Sequence, residues 1–125
     1  MRKALVLTFG IAVLAAISSA QDDAAYKMWM QSVPPTVAAI RMAPDNAAAK
    51  ADATKLADTF DKVEAYWKAK NVGDAATLAA TARDAAKAIA AGTGDKAANL
   101  MMIQGTCGAC HKDHRAGTAP NFTIK

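Results

Sequence analysis

Large side chains are scarce in this 125-residue chain: aromatic residues make up 6 % of it, three Phe, two Tyr and two Trp. A domain of this size rarely builds a deep core unaided, and one filled mainly with alanine has less to build with. Apolar mass from outside the polypeptide is therefore expected to complete the interior. Soft metal donors are scarce as well, with two cysteines and two histidines in all. Period-two alternation of apolar and polar residues is missing, which argues against strands. Repeats and low-complexity linkers are missing too. No set of acid, base and nucleophile stands out, so an enzyme in the usual sense is not expected. Lysines and acids alternate, leaving no basic patch suited to nucleic acid.

What is present lies partly at the N-terminus. Met1-Arg2-Lys3 is a short basic start, followed by an apolar run from Ala4 to Ile17 broken only by Thr8 and Gly10. Ser18-Ser19-Ala20 then supplies the small residues a signal peptidase reads, with cleavage expected before Gln21. The run falls short of the roughly 20 residues of a spanning helix, and no cysteine follows it to carry a lipid. Residues 1–20 thus read as a cleaved signal peptide and residues 21–125 as one exported, soluble domain of 105 residues. Loss of Arg2 and Lys3 lowers the formal charge from +4 to +2.

Four amphipathic stretches follow. The first runs from about Asp22 to Met42, with Tyr26, Met30, Val33, Val37 and Ile40 on one helical face. Pro34 and Pro35 withhold backbone donors, so a kink or break near Ser32 is expected. The second begins after Pro44, capped by Asp45 or Asn46, and repeats the spacing with Leu56, Phe60, Val63 and Trp67 as far as about Asn71. A third spans Asp74 to about Ala91 with a thin inward face of Leu78, Ala82, Ala85 and Ile89, and Gly92-Thr93-Gly94 ends it. The fourth opens at Thr93 or Asp95, sets Leu100, Ile103, Cys107 and Cys110 on one face, and stops near Gly117. Four helices joined by short turns predict an all-α, antiparallel four-helix bundle.

The last helix carries Cys107-Gly108-Ala109-Cys110-His111. Cys-x-x-Cys-His is the attachment signature of c-type haem. Two thiols add to the haem vinyl groups as thioethers, and the adjoining histidine brings a neutral imidazole to the iron. A thioredoxin-like dithiol or half of a zinc site uses the same pair of cysteines. The dithiol motif usually opens a helix after a strand, and no strand pattern precedes this one. A zinc site needs two further ligands, and only His111 and His114 remain, crowded beside the same cysteines. One covalently bound haem c is therefore the expected cofactor. Its two propionates bring the charge of the exported domain near zero, and its attachment on the outer side of the bacterial inner membrane agrees with the leader and a periplasmic location.

A four-helix chain with its haem motif in the last helix resembles the class II c-type cytochromes, the cytochrome c′ group. The specific likeness is confined to Cys107–Arg115, where Cys-Gly-Ala-Cys-His-Lys-Asp-His-Arg is similar to the family's Cys-x-x-Cys-His-x-x-aromatic-Arg. His114 departs from it, standing where the family usually has an aromatic residue. Only fourteen residues follow His111 and none is methionine, unlike class I cytochromes, whose haem motif is N-terminal and precedes a methionine ligand. The resemblance implies His111 as proximal ligand and Arg115 near the haem edge, paired with a propionate or left solvated in the last turn. It also implies redox partner proteins and allows a homodimer through the first two helices.

The family divides on what faces the histidine. Low-spin members bind a first-helix methionine and carry electrons; typical cytochromes c′ leave the iron open to NO and CO. Met101 and Met102 share the helix of His111, about 14–15 Å away along its axis, and Met42 lies at the far end of the first helix. Met28 is about 200° around that helix from Met30. Met30 is thus the candidate sixth ligand, against the plain alternative that it fills the core. Trp29, Tyr66, Trp67 and His114 are read as packing or surface residues.

Overall fold

Four helices carry the chain: α1 (Gly10–Met42), α2 (Asn46–Ala69), α3 (Gly73–Ala91) and α4 (Lys96–His114). The computed structural model describes residues 10–125, with side chains from residue 21 onward. The signal peptide expected over residues 1–20 therefore lies outside the residues described in full. Among the described residues no helix is long and apolar enough to cross a membrane.

Local chemistry sets the helix ends. The Asp45 carboxylate accepts from Ala48 N at 2.8 Å and the Asp95 carboxylate from Ala98 N at 2.7 Å, capping α2 and α4 at about 1 kcal/mol each. α3 closes on Gly92 at φ 72°, a left-handed conformation that costs glycine nothing.

α1 departs from expectation. Pro34 and Pro35 lie within it, yet it runs unbroken past Ser32. The prolines withhold N–H groups from the Met30 and Gln31 carbonyls, while nearby hydroxyls add bonds to the ladder. Ser32 Oγ donates to Trp29 O at 2.7 Å and Thr36 Oγ1 to Ser32 O at 2.8 Å. Both prolines are exposed, so neither ring obstructs a neighbouring helix.

The apolar faces pack as their spacing dictates. Tyr26, Val33, Val37 and Ile40 of α1 are buried with Leu56, Phe60, Val63 and Trp67 of α2. Every buried residue of α3 except Ile89 is alanine, which lets α2 and α3 approach as the most extensively packed pair. α1 packs on α2 and α4 on α3, but α1 and α4 barely touch. They are tied at one end, where Lys96 Nζ at the start of α4 donates to Ile40 O at 3.1 Å, Arg41 O at 3.4 Å and Ala43 O. Midway along α1, Asp23 Oδ1 accepts from Tyr66 OH at 2.6 Å, and at the far end of α4 His114 Nε2 lies 2.7 Å from Asp74 Oδ2.

The tail is not the plain extension of a helix. α4 stops at His114, and β1 (Arg115–Ala116) pairs antiparallel with β2 (Thr123–Ile124), Arg115 opposite Ile124. Gly117 turns between them at φ 83°, where a Cβ would stand 2.6 Å from Asn121 O. Two-residue strands are too short to leave an alternation in sequence.

Candidate cofactor site

Where α1 and α4 stand apart, a cavity of about 850 Å³ opens, within the size range of cofactor and ligand pockets. Tyr26, Met30 and Val33 form its α1 wall, and Ile103, Cys107, Cys110 and His111 its α4 wall. Phe60, Val63 and Leu78 contribute from α2 and α3, and Phe122 and Ile124 from the tail. Leu78, read from sequence as part of the thin core face of the third helix, is half-buried and lines this space.

The two cysteines are free and half-buried. Burial pushes the Cys107 thiol up, and burial with the nearby Cys107, Asp74 and Asp113 pushes Cys110 up to about 11. They sit late in α4, away from the helix N-terminus that lowers thiol pKa values in dithiol enzymes. Protonated, unactivated thiols do not suit thioredoxin-like exchange. Among the described residues no group of three or more His, Cys, Asp or Glu side chains converges to hold a metal ion, so the cysteines lack the partners a zinc site needs.

His111 is half-buried on the same wall, and burial, then the Arg115 charge, holds its pKa below the ordinary histidine value. The ring is therefore neutral at physiological pH, the state that binds iron. Across the cavity Met30 is half-buried, whereas Met28, Met42, Met101 and Met102 are 69 %, 84 %, 72 % and 50 % exposed. Helical phase alone had separated Met30 from Met28, and the two side chains part as it requires.

Arg115 lies just beyond α4, at the rim, with its guanidinium 4.2 Å above the Phe122 ring. His114 differs from the expected surface residue: its side chain is 15 % exposed, bonded to Asp74 and tilted 5.1 Å from Trp67, and it lines the cavity. The first turn of α3 covers it, and that covering is a tertiary contact no local spacing reports. The same bond holds the Asp74 carboxyl below its usual range.

Besides His114 and Leu78, Tyr26 and Phe122 also escaped sequence reasoning as site residues. Tyr26 was legible only as a core position, one turn before Met30. It stacks on Tyr66 at 4.3 Å and meets Trp67 edge-on at 5.5 Å, and burial with the two nearby thiols pushes its phenol up to about 12. Phe122 left no signal, because the ribbon that delivers it left none.

The chain matches no protein-family model, and no curated protein or solved structure is significantly similar to it.

Proposed function

We propose that this chain is an exported, periplasmic mono-haem c-type cytochrome of the class II kind, an antiparallel four-helix bundle that passes single electrons between redox partner proteins. One observation carries the proposal: Cys107, Cys110, His111 and Met30 line a single, mainly apolar cavity. The ties at the helix ends support the antiparallel arrangement. The start of α4 meets the end of α1 through Lys96, and the start of α3 meets the end of α4 through Asp74 and His114.

The residues present fit the cofactor. Cys107 and Cys110 form no disulfide and line the cavity, as thioether formation requires. Bound there, the haem supplies an iron that gains and loses one electron at a time. His111 offers a neutral imidazole, and Met30 a neutral, weakly basic thioether that favours the reduced metal. Arg115, on the cavity lining, would offer a cation to a propionate, and the apolar walls would pack against the macrocycle. No residue in the cavity is assigned a bond-making role in catalysis.

A gas-binding protein with an open sixth position is the second reading. The slight contact between α1 and α4, and the Met30 carbonyl left without its proline partner, favour it by allowing α1 to yield. A visible spectrum of the oxidised protein separates the two. Electron transfer through Met30 gives a low-spin spectrum with a weak sulfur-to-iron band at the red end and little CO binding when reduced. A high-spin spectrum with ready CO binding assigns the gas-binding role instead.

A further inference from the structure

Every residue lining the cavity that carries a fixed charge is basic: Lys27, Arg41 and Arg115, with no carboxylate among the lining residues. An apolar cavity rimmed only by cations is suited to an amphiphile with anionic groups. Arg115 differs from the other two in being held. The ribbon pairs Arg115 with Ile124 and folds Phe122 against the guanidinium at 4.2 Å. The turn that permits this needs glycine at 117. Among the described residues Arg115 forms no ion pair. Its guanidinium carbon lies over an aromatic ring while its N–H donors keep no acidic partner among the described residues.

We propose that Phe122 is a positioning residue: the C-terminal ribbon sets its ring against Arg115 so that the guanidinium is a pre-placed binding site for a carboxylate at the cavity rim. Resting on the haem reading above, the carboxylate is a propionate of the cofactor. Planar stacking is what the ring contributes beyond bulk, because a guanidinium lies flat on an aromatic face and keeps its edge donors free. An alkyl side chain of similar size leaves the arginine free to swing into water. A cation fixed near the iron favours the less positive, reduced state, so the arrangement raises the reduction potential.

The test is a redox titration of the haem-loaded protein with Phe122→Leu, Phe122→Tyr, Arg115→Gln and the Phe122→Leu/Arg115→Gln pair, with thermal midpoints measured alongside. Phe122 is 38 % exposed on the tail, so these variants should fold. Arg115→Gln is expected to lower the potential, Phe122→Leu to lower it part of the way, and Phe122→Tyr to restore it. Phe122→Leu in the Arg115→Gln background should have no further effect. An unchanged potential in Phe122→Leu, or an equal drop with and without Arg115, overturns the positioning role while leaving the haem reading intact. A protein that acquires no haem overturns both.

Discussion

On the proposed haem reading, the side chain at position 30 separates two functions. A thioether on the iron makes a low-spin carrier, and its loss opens a coordination site. Met30→Ala is expected to erase the red-end sulfur band, raise the spin state and admit CO, whereas Met28→Ala, on a residue 69 % exposed, leaves the spectrum unchanged. Helical phase sufficed to tell these methionines apart. It failed at His114, whose surroundings are made by α3. Two other side chains contribute to the response to pH. The Asp74 carboxyl is stronger in the fold than its ordinary value of 3.8 because it is bonded to His114. Its contribution is therefore complete above that value and lost as pH falls through and below it. Asp74→Asn should flatten the acid limb of a stability–pH curve. Tyr26 is shifted the other way, from 10.0 to about 12. Its contribution is present below pH 10 and lost as pH rises towards 12, a loss that Tyr26→Phe should remove. Urea midpoints across pH measure both.

Among the elements, α1 has the least support on its α4 side, and one contact anchors it there. Lys96 places a cation at the C-terminal end of α1, where carbonyls lack helical partners and the helix dipole is negative. Lys96→Met keeps the alkyl stem and removes the charge, at an expected cost of roughly 1–2 kcal/mol for a half-exposed, charge-assisted cluster, measured by urea unfolding. Arg41 supplies the only basic side chain in the last turn of α1 and is too exposed to substitute. The four helices themselves were legible because Leu56, Phe60, Val63 and Trp67, like the stripe on α1, repeat at helical spacing. The starts of α2 and α4 were each legible to within two candidates, Asp45 or Asn46 and Thr93 or Asp95, and the two aspartates are the caps. The uninterrupted passage of α1 through Pro34 and Pro35 was not, since local rules weigh the lost donors and do not see the helix held on both sides of them. Nor was the ribbon, whose strands are two residues long.

For the molecule as a whole, the closest packing lies between α2 and α3, while α1 and α4 face each other across the cavity. Removal of the proposed haem from that cavity is therefore expected to loosen the chain unevenly. In a Cys107→Ala/Cys110→Ala protein without haem, amides of α1 and α4 should exchange quickly with solvent and those of α2 and α3 should stay better protected. Uniform protection close to that of the haem-loaded protein would show that the polypeptide completes its own core. The central claim is that Cys107 and Cys110 carry a haem. The most direct measurement is the intact mass of the chain, expressed with haem-attachment machinery and denatured in acid before it is weighed. One haem on the polypeptide, weakened by either Cys→Ala change and absent from the double variant, is the predicted result. A chain that emerges at its bare polypeptide mass, with any haem extracted into the acid solvent, would contradict it.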